Sequence, residues 1–228
     1  MAGFLWWIFR PLMLLGVYTL VFGVFFKNNE PHFMLFLFSG IIAWEWFAGT
    51  VLRSSNSVIA NRPLMLLVKI DPAMFPLSYA IVDGVKFLPG LLILLLGCIA
   101  SNVDFSLPIL LLPVIIMAEL LLCAGVGMLV ASITPLFPDF HMFLVTAIQL
   151  VMFMSGIFYH IDRLPAQYSS LLRLNPMATI ISQYRAVVID GVVPSFYSFL
   201  SVFAIGSVFF AVGHWMLRRL AGVYTKRW

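Results

Sequence analysis

Charge is what this 228-residue sequence has least of: Asp, Glu, Lys and Arg together make up 10% of it, against 63% hydrophobic residues. A soluble domain carries charge on about a quarter of its residues. A water-facing surface cannot be covered with so few polar side chains, so lipid must solvate much of this one. The mean hydropathy of +1.07 agrees, and water-soluble enzymes are excluded. Cysteine is as scarce. Cys98 and Cys123 both lie inside apolar runs, where thiols act as small hydrophobes and build no disulfide framework. The lysines are Lys27, Lys69, Lys86 and Lys226, followed by Asn, Ile, Phe and Arg. A P-loop needs Ser or Thr after its lysine, so the chain cannot hold ATP by that motif, and an ATP-driven step requires a separate ATPase subunit. His32, His141, His160 and His214 fall in different segments without ligand spacing, which disfavours a metal site. No Gly-x-Ser-x-Gly elbow occurs either, and no catalytic residue is assigned. The net charge of +4 is scattered, with Arg218, Arg219, Lys226 and Arg227 gathered near the C-terminus. That pattern suits a tail beside anionic lipid and not a nucleic-acid surface.

Long apolar runs are what the sequence has in abundance. Six read as transmembrane helices, over 4–26, 32–52, 74–100, 108–133, 141–159 and 195–217. The first would reach about 34 Å, enough to cross a hydrocarbon core of about 30 Å. No basic region precedes it and no small-residue cleavage pattern follows it, so it reads as a retained anchor and not a cleaved signal. The polar turn Lys27-Asn28-Asn29-Glu30-Pro31 is short enough to make the first two helices antiparallel neighbours. With the basic tail in the cytoplasm, six spans put the N-terminus inside too, along with the loop that carries Arg53, Arg62 and Lys69. Arg163, Arg173 and Arg185, after the fifth span, run against this trend. The expected fold is therefore an all-α polytopic membrane protein, one domain over 1–228, N-in and C-in.

Two stretches between spans are more than connections. In 54–71 the patch Leu64–Val68, bracketed by Arg62 and Lys69, is too short to span and can lie flat at the interface. Either it is a loop with some membrane contact or it receives force from a cytoplasmic partner. The second stretch, 160–194, is too long for an idle loop. Leu164-Pro165 opens one run and Asn175-Pro176 another; Asn before Pro suits an N-cap followed by Pro at the first helical position. Two short helices, over 165–174 and 176–190, are predicted. Each is about half the length of a crossing, so the pair either dips back into the outer leaflet or lies on the surface.

Charges within spans are costly and mark functional candidates. Asp83 and Lys86, three residues apart, share a helix face and can neutralise each other. Glu45 and Glu119 have no in-helix partner of opposite charge; each either lines a translocation path or bonds to a neighbouring helix. Phe33, Phe36, Trp44 and Phe47 follow helical spacing around Gly40. Such a stripe can stack sugar rings, or it can pack helices and contact lipid.

The ordered set of motifs resembles the permease subunits of type-2 ABC exporters, in the branch that exports O-antigen, capsule and teichoic-acid polymers. The resemblance rests on Leu5-Trp6-Trp7-Ile8-Phe9-Arg10-Pro11-Leu12 running into Tyr18-Thr19-Leu20-Val21-Phe22-Gly23, and on Asn56-Ser57-Val58-Ile59-Ala60-Asn61-Arg62-Pro63-Leu64. Asp71-Pro72 and Phe75-Pro76-Leu77 follow, then the most specific set: Ser155-Gly156-Ile157-Phe158-Tyr159, Leu164-Pro165, Leu174-Asn175-Pro176 and Tyr184-Arg185. The resemblance implies a homodimeric permease in the bacterial cytoplasmic (inner) membrane, working with two cytoplasmic ATPase subunits. ATP and Mg would be bound by those subunits and no cofactor by this chain. It implies a coupling helix over about 57–69 that docks through Asn61, Arg62, Pro63, Leu64 and Lys69. It also implies a periplasmic gate carrying Phe158, Tyr159, Pro165, Asn175, Pro176, Tyr184 and Arg185. A translocation path for a lipid-linked glycan would pass Phe33, Phe36, Trp44, Glu45, Phe47 and Glu119, with membrane lipid alongside and no nucleic acid. Asp139 sits where the family commonly has an Arg-Asp pair; here Pro138 precedes it. The family also usually opens with a basic amphipathic helix on the cytoplasmic surface, whereas Met1-Ala2-Gly3 stands almost inside the first span; either the true start lies further upstream or this member lacks that helix, in which case its substrate entrance would be built differently. Two rival readings stand beside this one: the same architecture exporting a drug or lipid, and a membrane-embedded enzyme acting on lipid-linked sugars. The enzyme would need Glu45, Asp83 and Glu119 to cluster.

Overall fold

The computed structural model describes residues 2–21, 32–68, 70–137 and 139–226, and every regular element among them is helical. In chain order these are α1 (Ala2–Tyr18), α2 (Phe33–Ser55), α3 (Ser57–Ala60), α4 (Arg62–Leu67), α5 (Met74–Ala100), α6 (Leu112–Ile133), α7 (Phe140–Phe153), α8 (Ala166–Leu172), α9 (Pro176–Val188) and α10 (Phe196–Lys226). A 3-10 turn at Leu107–Leu111 leads into α6. The 22–26 end of the first predicted span and Lys69 lie outside the described residues.

Among the described residues, four helices are long and apolar enough to cross a membrane: Phe33–Ser55, Met74–Ala100, Leu107–Ile133 and Phe196–Leu220. Two apolar helices are shorter, Phe9–Val21 and Phe140–Phe153. The fifth predicted span, 141–159, is thus cut back to a helix of 14 residues, about 21 Å long. Its last residues turn away at Gly156, which sits at φ 67°, a left-handed conformation that other residues adopt at a cost. α10, in turn, runs to Lys226, past the expected end at 217.

α2 is the central element. Leu37 and Ala43 are wholly buried, as are most of the residues between Phe33 and Val51, and α2 packs on α5, α6, α9 and α1. α6 runs closely along α10. Lipid tails are as apolar as the side chains, so helix pairing gains nothing from dehydration and depends on close approach. Small residues supply it: a Cβ at Gly125 would lie 2.7 Å from the Phe210 backbone N, and one at Gly213 would lie 2.8 Å from that of Leu129.

Candidate functional site

Three regions carry the residues that the sequence singles out. The first joins α2 to α5. A single helix was the expectation for 57–69; two short ones form, broken at Asn61. Pro63 has no N–H to offer the Ile59 carbonyl, so the helical ladder cannot run through. Asn61 bridges the break, its side-chain amide donating to the Ser57 carbonyl at 2.8 Å. Val58 is buried with Ala73, Met128, Ala131 and Leu217, which seats the segment on the end of the bundle. Ile59, Pro63, Leu64, Leu67 and Val68 are exposed, with Leu67 at 83%, and Arg62 is half-buried. A short chain with one face seated and one apolar face bare is suited to a partner. Asp139, just before α7, makes no side-chain cap bond.

Asp71 ties this segment to α10, its Oδ2 accepting from Arg218 Nε at 3.0 Å and lying 2.9 Å from Nη2. Burial pushes the Asp71 carboxyl up, but the Ala73 N–H, the Arg218 bond and the nearby Arg218 and His214 charges outweigh it and hold the group below its ordinary range. A depressed carboxylate stabilises the fold above the unfolded value of about 4 and loses that contribution as pH falls through the folded one. Melting temperatures of wild type and Arg218→Gln should therefore differ at pH 7 and converge on acidification toward pH 3. A gap that stays constant over this range removes the tie.

The second region is a cleft of about 300 Å³ between α1, α2 and α5. Glu45 and Asp83 both line it, with Arg10, Arg53 and Lys86. Glu45 pairs across helices with Arg10 Nε at 3.2 Å. Asp83, 3% exposed, is fully engaged: Lys86 Nζ reaches Oδ1 at 3.0 Å, Thr50 donates to Oδ2 at 3.2 Å, and Arg53 pairs with the same oxygen. The predicted Asp83–Lys86 pair is present but is half of a larger arrangement. Arg10, Thr50 and Arg53 were missing from the sequence-based site. Arg10 is itself a cation within the first predicted span, and that is the signal that points to it. Glu119 stands apart from this cleft, so the three acids do not cluster, although two of them do. The aromatic stripe is not on the cleft: Phe33, Phe36, Trp44 and Phe47 are all buried in the core, where Trp44 packs on Phe47 at 5.5 Å.

The third region surrounds α9. Asn175 caps the helix, its Oδ1 accepting from the Met177 N–H at 3.0 Å, while its amide donates to Ser155 Oγ at 2.9 Å. Pro176 follows as the first helical residue. Tyr184, 1% exposed, donates to Glu119 Oε2 at 2.7 Å. Glu119 is therefore wholly buried and bonded to a neighbouring helix of the same chain. Arg185, 6% exposed, donates to the carbonyls of Gly156 at 2.7 Å, Ile157 at 2.9 Å and Phe36 at 3.1 Å. Its guanidinium also lies 3.4 Å from the centre of the Phe36 ring. Carbonyl dipoles and a π-face together offset the cost of a cation in so apolar a place. Phe158 is buried beside Tyr18, Tyr159 donates to the Phe153 carbonyl at 2.8 Å, and Pro165 stands at the start of α8.

Comparison with known proteins concerns the chain as a whole. Residues 1–189 match the family described as "ABC-2 type transporter". The chain is 26% identical over 201 residues to an O-antigen export system permease protein RfbA of Klebsiella pneumoniae, covering 88% of this chain and 77% of the relative. A protein of the same name from Myxococcus xanthus is 24% identical over 208 residues, 90% and 80% of the two chains. The polysialic acid transport protein KpsM of Escherichia coli is 24% identical over 224 residues, 96% and 87% of the two chains.

Proposed function

The chain belongs to the ABC-2 type transporter family, and from that premise we propose that it is the membrane permease of an ATP-driven exporter of a lipid-linked polysaccharide. The observation that carries this reading is the match along nearly the whole chain to relatives named for O-antigen export and polysialic acid transport. The permease is a multi-pass protein of the bacterial cytoplasmic membrane, and it works with ATPase subunits that bind ATP and Mg.

The finer parts of the proposal are six crossings with both termini inside, a homodimer, and two ATPase subunits on the cytoplasmic face. α1 and α7 supply the two crossings beyond the four long helices. α8 and α9 form a re-entrant gate on the outer side. α3 and α4 are the coupling element, and their bare apolar face at Leu64 and Leu67 supports a docked partner. Closure of the ATPase pair pushes Asn61, Arg62, Pro63 and Leu64; Lys69 belongs to the same proposed contact. The push alters the tilt of α2 and α5 and opens a path past Glu45 and the α8–α9 gate. Of the residues assigned to the path by resemblance, Glu45 lines the cleft between α1, α2 and α5.

The test is export by the permease–ATPase complex in vesicles with the double variant Arg62→Ala and Leu64→Asp. A charged residue in the centre of a docking face costs a hot-spot contact, so transport should fall at least about tenfold. Basal ATP hydrolysis should persist and lose its stimulation by lipid-linked glycan. Undiminished export by this variant overturns the coupling role.

A further inference from the structure

We propose that the cleft between α1, α2 and α5 binds the phosphate group of a lipid, and that this lipid is the carrier to which the exported glycan is attached. The assignment of the carrier rests on the export reading above; the phosphate site itself rests on the geometry that follows.

Five ionisable side chains converge on one cavity of about 300 Å³. Three are cations and two are carboxylates, so the cleft holds one positive charge in excess. Between helices bathed in lipid such an excess is costly, and a bound anion neutralises it. The two carboxylates play different parts. Asp83 is buried and bonded on both oxygens; it fixes Arg53 and Lys86 at the wall of the cleft. Glu45 is only partly buried and pairs with Arg10 at Nε. The Arg10 side chain itself is 62% exposed. An accessible guanidinium is a group that takes two phosphate oxygens at once. Gly49 keeps the space open, since a Cβ there would stand 3.1 Å from Arg53 Nη2.

The remaining walls say what kind of phosphate fits. Ile42, Leu52, Trp46 and Phe87 line the same cleft, and free phosphate has no use for them, whereas a lipid chain does. Position agrees as well. Arg53 stands four residues before Ser57, about 6 Å along the helix axis from the coupling segment, and Glu45 stands about 18 Å from it. The charged groups thus run from the end of α2 next to that segment, where Arg53 stands at the depth of a headgroup, to the middle of the helix at Glu45.

The test uses the permease–ATPase complex in detergent micelles and reads retained lipid by native mass spectrometry. The probes are a polyisoprenyl phosphate, the matching uncharged polyisoprenol, and inorganic pyrophosphate. The phosphorylated lipid should be retained and the alcohol should not. Arg10→Gln and Arg53→Gln should each lower retention about tenfold, Arg10→Lys should retain more than Arg10→Gln, and Arg219→Gln, an exposed cation on α10, should leave it unchanged. Co-purification with the ATPase checks that each variant is folded, and Arg10→Lys keeps the charge in place if Arg53→Gln does not fold. Equal retention of phosphate and alcohol, or no loss in Arg10→Gln, overturns the site. Pyrophosphate that binds as tightly as the phospholipid overturns the lipid assignment in favour of a free anion. A complex that prefers the phosphorylated lipid but exports no glycan removes the cargo reading and leaves the site standing. One that exports without that preference removes the site and leaves the export.

Discussion

Arg185→Ala should yield a protein that cannot be recovered in folded form, or one that melts far below wild type. The guanidinium is the common partner of three backbone carbonyls from two separate parts of the chain, Phe36 on α2 and Gly156 and Ile157 in the turn after α7. Hydrogen bonds to a charged group contribute about 1.5–3 kcal/mol each, so the loss should exceed about 3 kcal/mol. Gly40 shows how closely the site is fitted: a Cβ there would lie 3.0 Å from Arg185 Nη2. Arg185→Lys should not rescue it, because a single ammonium cannot meet three carbonyls arranged around a planar fork. Size-exclusion profiles and melting temperatures in detergent check both variants. An Arg185→Ala protein that melts within about 2 °C of wild type refutes the clamp.

Gly125→Leu should separate α6 from α10. A Cβ at this position meets the Phe210 backbone N at 2.7 Å, the Gly206 carbonyl at 2.9 Å and Phe209 Cβ at 3.0 Å. Two of these are backbone atoms, which cannot rotate away as a side chain can. Overpacking a well-filled interior costs about 1–3 kcal/mol, and this clash should reach the upper end. Gly125→Ala should already destabilise measurably. The comparison is Gly16→Leu on α1, where a Cβ meets nothing within 4 Å and melting should be unchanged. Equal melting of Gly125→Leu and Gly16→Leu would mean that the α6–α10 contact is dispensable.

Local chemistry was legible in the sequence, and contacts between distant segments were not. Asn175-Pro176 announces a helix start because both the cap and the missing N–H act within a few residues, and α9 begins there with Asn175 bonded to the Met177 N–H. Asp83 and Lys86 announce a pair because helical spacing alone brings them together. The partners of Glu45 and Glu119 lie on α1 and α9, at sequence distances that periodicity does not encode. The end of α7 is hidden for another reason. Residues 154–159 are as apolar as a span, so hydropathy runs through them, while the positive φ of Gly156 breaks the helix. The aromatic stripe on α2 is regular enough to suggest either a contact surface or a core, and only the burial of Phe33, Phe36, Trp44 and Phe47 decides for the core. The division at Asn61 could have been read from Pro63, whose missing donor forbids a continuous helix.

α10 is gripped at both ends. Arg218 holds Asp71 just after α4, and Ser198 accepts a hydrogen bond from Gln183 of α9 at 3.2 Å. Twenty residues of unbroken helix separate the two grips, about 30 Å of nearly incompressible rod. Because α10 is also packed backbone-close on α6 at Gly125 and Gly213 along that length, the two grips are held at a fixed separation and neither can shift without the other.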